Sequence, residues 1–415
     1  MSLTEQHDLR GGTPSWDDGG WDVPPADALP TSPCDIAIIG AGIMGSVLAE
    51  RLSSQGLSVV LLDRRPPGMG STAASTAELM WAMDVPLCEL AAQIGEEVAA
   101  RRWKWVYRTV RGLAERIDAL GIDCARRDRP TVYLAGQKLD EEGLKQEGAL
   151  HRKHGLPTQF LDNVTVNRRF GIPPRSALIS DGGFEVDPVR LTHGLLDIAK
   201  QRGARLCYPV DVTSLTEQED CIVLTLADGK TISAGQAILA GGYERAPLFL
   251  PPAFSLLSTF VMATAPGVAP LWRGNAMIWE ASDPYLYIRT DAEGRIIAGG
   301  EDEDFIDANH RDALIGQKAG TIAAKVGLLL GSAPLAVDRA WAATFGASPD
   351  GLPAIGRAAN MQRIWLAAGF GGNGIAFAAL ASELLASVFA GQDDPDADYF
   401  DPYRFAIPLA QAAGH

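Results

Sequence analysis

Ile36-Ala-Ile-Ile-Gly40-Ala-Gly42-Ile-Met-Gly45 carries an apolar, β-branched run into a glycine cluster, and the cluster opens a helical pattern, Ser46-Val-Leu-Ala-Glu-Arg-Leu52. A second apolar run, Ser58-Val-Val-Leu-Leu62, ends in Asp63. Strand, glycine turn, helix and strand in this order make the unit that holds a dinucleotide. Gly40 permits the tight turn, Gly42 lets the backbone approach a pyrophosphate, and Gly45 lets helix and strand pack closely. The helix N-terminus, entered through Ile43 and Met44, offers free N–H groups and a positive dipole end to phosphates. Asp63, roughly 20 residues on, is placed to accept hydrogen bonds from ribose hydroxyls. Arg64 beside it joins the nucleotide-binding candidates, and Asp63 argues against a 2′-phosphate.

The chain has 415 residues, room for about two or three domains of roughly 150 residues. Its 47% hydrophobic and 21% charged content is that of a globular enzyme. A net charge of −15 opposes nucleic-acid and anionic-membrane partners. The five cysteines (Cys34, Cys88, Cys124, Cys207 and Cys221) are scattered and form no CxxC. Neither a disulfide framework nor a zinc site is expected, and no metal-ligand cluster stands out. A reducing, cytoplasmic location is expected. The N-terminus has no signal-peptide pattern, and no uninterrupted apolar run reaches the roughly 18 residues of a membrane span.

Residues 1–33 are rich in Gly, Pro and Asp and read as an irregular arm, with Trp16 and Trp21 to dock it. Beyond Asp63 lies a loop of small residues, Gly68-Met-Gly70-Ser71-Thr72-Ala-Ala-Ser-Thr76, followed by helical material over 77–83. Two further buried strands end in glycines: Gln236-Ala-Ile-Leu-Ala240 at Gly241-Gly242, and Ile364-Trp-Leu-Ala367 before Gly369-Phe-Gly371-Gly372-Asn373-Gly374-Ile375. In an open parallel sheet ligands bind at the carboxyl ends of strands, so three glycine exits can converge on one cofactor. A cofactor touched from both ends of the chain is large and resident, which favours FAD over a diffusing NAD.

With these residues in view, the chain resembles the D-amino-acid oxidase/glycine oxidase/sarcosine oxidase superfamily of FAD enzymes, from about Cys34 to Phe389. The matching motifs are Gly40–Gly45 with Asp63, Gly68–Thr72, Ala240–Gly242, and Asp350-Gly-Leu-Pro353-Ala-Ile-Gly356 followed by Gly369–Ile375. Most relatives have Glu where this chain has Asp63. The resemblance implies an α/β fold: a Rossmann-type FAD-binding domain with a three-layer sheet, and an α+β substrate domain on a mixed or antiparallel sheet with helices. The expected division is an arm at 1–33, a discontinuous FAD domain at 34–85, 178–250 and 341–395, a substrate domain at 86–177 and 251–340, and a tail at 396–415. It further implies that Gly70, Ser71, Thr72 and Thr76 run beside pyrophosphate and flavin, that Val212 contacts the adenine, and that Gly371–Ile375 point N–H groups at the flavin. Those donors would stabilise negative charge in reduced flavin.

The expected reaction is oxidation of a small amine or amino acid by hydride transfer to flavin N5, at a CH–NH or CH–NH2 group. The alternatives are a dehydrogenase of a 2-hydroxy acid and a non-catalytic flavin-binding subunit. An amino-acid substrate needs a cation for its carboxylate, best a bidentate Arg. In Tyr285-Leu-Tyr287-Ile-Arg289 the alternate residues share one strand face, so Tyr287 and Arg289 are the candidate carboxylate clamp if that face looks at the flavin; the alternative is that Arg289 pairs with Asp291 or Glu301 at a sheet edge. Glu78 and Trp81 follow the small-residue loop closely enough that either could wall the pocket, with a helix-surface acid and a core Trp the favoured readings. Trp279, Trp341 and Phe345 are candidate aromatic walls, and His151 and His154 read as solvated. Several family oxidases place a Lys above the flavin on the strand matching Arg295-Ile-Ile-Ala-Gly299, which has none here. The acceptor is therefore oxygen or another carrier. Some members of the resembled family bind flavin covalently through a late Cys; here the last cysteine, Cys221, precedes the C-terminal motif, so the resemblance implies non-covalent FAD. A homo-oligomer is compatible with these features.

Overall fold

The computed structural model describes residues 8–16, 23–244, 249–269, 271–392 and 394–405. Trp21, and 406–415 of the expected tail, lie outside them. Two sheets form the frame, with eight and ten strands among the described residues.

The eight-stranded sheet holds the glycine motifs. Its path runs Ala354–Arg357, Ile364–Ala368, Thr231–Leu239, Cys34–Ile39, Val59–Leu62 and Arg205–Cys207. The strands from Ile364 to Cys207 along this path are mutually parallel. All four residues of Val59–Leu62 are buried, as strands covered on both faces must be. One face packs on helices Ile43–Ser53, Pro188–Gln201, Gly374–Phe389 and Glu96–Leu120. The other carries Val212–Glu217 and Ile222–Leu226, which pair with each other and enclose a second core with Val60, Leu62 and Ala237.

The ten-stranded sheet runs Arg10–Gly12, Arg339–Ala347, Ser255–Ala263, Ile296–Glu303, Leu286–Thr290, Met277–Glu280, Arg127–Leu134, Ala177–Glu185 and Glu78–Leu79, with Thr158–Leu161 also on Ala177–Glu185. It is antiparallel except where Met277–Glu280 meets Arg127–Leu134. Helix Ala308–Leu330 covers it through Ala319, Ile322, Ala323 and Val326. This helix is long and apolar enough by composition to cross a membrane, yet its apolar stripe is committed to the sheet and it also buries Arg311.

The sheets divide the chain differently from the expected boundaries. Residues 178–185 and 341–347, placed by sequence with the nucleotide domain, pair in the larger sheet. Helix Glu96–Leu120, placed with the substrate domain, packs on the nucleotide core. Its Ala99, Trp103, Val106, Val110, Leu113 and Ile117 recur at helical spacing, and helices Gly374–Phe389 and Leu87–Ile94, with Trp81 and His151 against Trp103, cover the helix. The 77–83 stretch is not helical. Ala77 has φ 55°, and Glu78–Leu79 pair with Phe184–Glu185. His151 is not solvated: it is 3% exposed, between Glu147 (2.9 Å) and Thr158 (3.1 Å) and against Trp81 and Trp103. It shares one helix face with Leu144 and Gly148.

The described part of the arm contains an integral strand. Arg10–Gly12 extends the larger sheet at Trp341–Ala343. Arg10 Nε donates to Met69 O (3.0 Å) and Trp16 Nε1 to Ser75 O (2.7 Å), so the arm holds both ends of the small-residue loop. Trp16 is 6% exposed. Trp16→Ala should therefore lower unfolding free energy by about 3 kcal/mol, as expected for a buried aromatic, measured by denaturant titration.

Candidate active site

The carboxyl ends of Cys34–Ile39, Thr231–Leu239 and Ile364–Ala368 lie side by side, because these strands are neighbours in one parallel array. Their three glycine turns therefore open into one cavity of about 320 Å3. Gly40 has φ 114°, and a Cβ there would meet Ala240 O at 2.5 Å. A Cβ on Gly45 would stand 1.9 Å from Gly40 O, so Gly45 lets helix Ile43–Ser53 press onto its own strand and does not itself face the cavity. Tyr243 Oη donates to Gly369 O (2.8 Å), which ties the second turn to the third.

At one end of the cavity Asp63 accepts from Ala41 N (2.7 Å) and Arg65 N (2.8 Å). Burial pushes its carboxyl up, and those N–H groups with Arg65 and Arg64 oppose the shift. Arg64 and Arg65 both reach Glu244 Oε1, at 2.6 and 2.7 Å. Val212 lines the same end. In the middle, Gly40, Gly42, Ile43 and Met44 face Gly70, Ser71, Thr72, Gly241 and Gly242. Helix Ile43–Ser53 has no capping side chain of its own. Thr72 Oγ1 takes the Ile43 N–H (2.9 Å) from across the cavity.

At the other end Gly371, Gly372, Asn373, Gly374 and Ile375 line the wall. Gly371 N donates to Gly346 O (2.7 Å), Gly372 N to Asp84 Oδ2 (2.7 Å) and Asn373 Nδ2 to Ala82 O (2.8 Å). Helix Gly374–Phe389 also starts without a side-chain cap, which leaves its first N–H groups for a ligand. Burial raises the Asp84 carboxyl, while the Gly372 N–H and Lys138 pull it down. Opposite stand Thr76, Glu78, Thr259, Trp279, Tyr285, Tyr287, Thr344 and Phe345. Tyr287 lies across Gly299, where a Cβ would meet its hydroxyl at 2.1 Å, and its hydroxyl is next to Thr76 and Thr259. Trp341, the third candidate wall, is buried with its Nε1 on Ala74 O (2.9 Å) and lies behind that loop.

Arg289 must be corrected. It shares the strand with Tyr287 but lines no part of the cavity. It is 1% exposed, with Nη1 on Ala77 O and Nη2 on Val186 O, both 3.1 Å, and its guanidinium lies against the Trp16 ring. The strand continues beneath the 77–79 segment, so its third alternate residue is roofed by backbone. Glu78, read as a helix-surface acid, is half-buried at the cavity wall, and neither carboxyl oxygen has a partner among the described residues. Burial raises its pKa to about 8, against the pull of Arg289 and with Glu185 adding to the rise. Asp84, Tyr243, Glu244 and Thr259 were not singled out from sequence. Glu244 and Tyr243 directly follow Gly241-Gly242 and could have been found by that adjacency. Asp84 and Thr259 carry no local signal.

The residues fit FAD: the three glycine turns and the N-termini of helices Ile43–Ser53 and Gly374–Phe389 face one cavity, and at Gly40, Gly371 and Gly372 a Cβ would stand within 3 Å of neighbouring atoms. Residues 35–388 match the DAO family model, described as FAD dependent oxidoreductase. The chain belongs to that family of FAD-binding oxidoreductases. Among curated relatives, it is 26% identical over 357 residues to a glycine oxidase of Bacillus licheniformis, covering 86% of this chain and 93% of that one. It is 22% identical over 372 residues to a probable oxidoreductase, OrdL, of Haemophilus influenzae, covering 87% and 84%. Among solved structures, L-proline dehydrogenase from P. horikoshii superposes with a TM-score of 0.74 at 21% identity, covering 91% of this chain and 99% of that one. Glycine oxidase from Geobacillus kaustophilus gives 0.71 at 19%, covering 92% and 100%.

Two outcomes follow. Gly45→Ala should force the helix off its strand, and the purified variant should lose most of its bound flavin, read from visible absorbance per chain. For Glu78, folded and unfolded pKa differ between 4.5 and about 8. In that window the folded chain keeps a proton that the unfolded chain has released, so this contribution is favourable at low pH and fades as pH rises. Glu78→Gln should flatten that slope in the flavin-free protein, measured as the change in thermal midpoint between about pH 5 and about pH 8.

Proposed function

We propose that the protein oxidises a small amine or amino acid, with FAD as a non-covalent hydride acceptor. The single observation that carries this reading is the shared cavity, in which the three glycine turns open toward a wall of phenols, indole and carboxyls. FAD, when bound, accepts a hydride at N5 and passes the electrons on. The residues that would hold it are Gly40–Met44 and Gly70–Thr72 at the diphosphate, Asp63, Arg64 and Val212 at the nucleoside, and Gly371–Ile375 at the flavin. The Gly374 and Ile375 N–H groups, free of a cap, would meet charge that grows as the substrate is oxidised. Trp279 and Tyr287 would orient the substrate. Related proteins named glycine oxidase and L-proline dehydrogenase support an amino-group substrate. None of the five cysteines lines the cavity, which supports non-covalent binding.

No lysine lines the cavity among the described residues, and the space over Gly299 is taken by Tyr287. This favours a carrier other than oxygen as the electron acceptor. The test is anaerobic mixing of the flavin-loaded protein with amines, amino acids and 2-hydroxy acids. Bleaching of the flavin by amines or amino acids is expected. Bleaching by hydroxy acids alone would move the reading to a hydroxy-acid dehydrogenase, and none by any compound to a binding subunit. Air admitted afterwards should restore the colour slowly. Rapid restoration would return oxygen to the acceptor role.

A further inference from the structure

Resting on the amine reading above, we infer that this site selects a cationic amine with no carboxylate on the reacting carbon. The argument starts from what faces the cavity beyond the glycine turns. Among the described lining residues the cations are Arg64 and Arg65, both at the nucleotide end and both on Glu244. The strand that could deliver a guanidinium to the substrate end does not, because Arg289 is spent on the carbonyls of Ala77 and Val186. A carboxylate brought into this end would lose its water and find hydroxyls in place of a charged partner, which opposes its binding.

The same wall suits the opposite charge. Trp279 and Tyr287 are directly opposed across Met277–Glu280 and Leu286–Thr290. Tyr133 stacks on Trp279 at 3.8 Å, and Tyr285 lies 5.9 Å from Tyr287, nearly parallel. An ammonium over such ring faces gains attraction that grows as water is excluded. Asp84 borders the cavity with one carboxylate oxygen on Gly372 N, and its other oxygen remains for an ammonium N–H. Behind Tyr285, and not itself lining the cavity, the Asp302 carboxyl lies against the Tyr285 and Thr259 hydroxyls, with a buried Oδ1 that has no hydrogen-bond partner among the described residues. Glu78 adds two more unpartnered, solvent-shielded oxygens at the edge of the wall. Aromatic faces and carboxyls, around a space to which the described lining residues bring no cation, are complementary to R–NH3+ or R2NH2+, and opposed to an amino acid's carboxylate.

Matched pairs test this: pyrrolidine against proline, putrescine against ornithine, and benzylamine against phenylglycine, each mixed anaerobically with the flavin-loaded protein. The amine should bleach the flavin at least tenfold faster than its amino acid. Equal or faster bleaching by the amino acids overturns the inference and leaves the amine reading standing. Bleaching by neither member of any pair overturns both. Calorimetry supplies a readout apart from turnover: benzylamine should bind the loaded protein at least tenfold more tightly than benzoate, and the reverse order overturns the inference. Asp84→Asn, with flavin content checked, should weaken benzylamine binding about tenfold while leaving benzoate binding no weaker. An unchanged benzylamine affinity removes Asp84 from the ammonium site.

Discussion

The distance between Gly45 and the Gly40 carbonyl is the constraint on which the molecule turns. With 1.9 Å between a would-be Cβ and that oxygen, the first helix can sit against its own strand only because residue 45 has no side chain. That contact aims the N-terminus of Ile43–Ser53 at the mouth of the first turn. The turn is in turn backed by Ala240 O, close enough to Gly40 to exclude a Cβ there as well. Two neighbouring strand ends are thus locked at backbone distance, and Tyr243 extends the lock to Gly369. A cofactor site built from backbone N–H groups needs such close approach, since those donors cannot reach out as side chains do.

Around the cavity, two clusters of charged side chains stand apart. Arg64, Arg65, Glu244 and Asp63 form one at the nucleotide end. Arg289, Glu185, Glu78, Asp187 and Asp291 form another behind the 77–79 segment. The second group keeps Arg289 out of the cavity. The end of the cavity it leaves is lined by Trp279, Tyr285, Tyr287, Glu78 and Asp84, with threonines between them. Glu78 stands where that group meets the cavity, and its raised pKa follows from burial that Arg289 only partly offsets.

Much of the nucleotide half was legible in the chain. Gly40, Gly42 and Gly45 are spaced for a strand-to-helix turn, and the apolar runs at Ile36–Ile39, Val59–Leu62 and Ile364–Ala367 read as buried strands because each is continuous. A parallel array then obliges their carboxyl ends to share an edge. Local pattern accounts for these features, since a glycine requirement and an unbroken apolar run arise within a few residues of each other. The arm showed its docking through Trp16, although its strand character did not register in Arg10-Gly-Gly12.

Tertiary structure decided the rest. Period-two alternation correctly put Tyr285, Tyr287 and Arg289 on one face, but alternation says nothing of what covers that face along its length. The Ala77–Leu79 backbone roofs the Arg289 end and leaves the tyrosines open. Residues 178–185 and 341–347 joined the larger sheet because strand partners are chosen by register and burial across long sequence separations, and a domain boundary drawn along the chain cannot express that choice. Asp84 and Thr259 entered the cavity wall for the same reason: their chemistry is ordinary in sequence, and only the meeting of two sheets brings them to the flavin end. The residue pattern established a family and a cofactor cradle from local geometry, while the charge of the cavity's far end, beside Tyr285 and Tyr287, came from long-range packing that turned one arginine away.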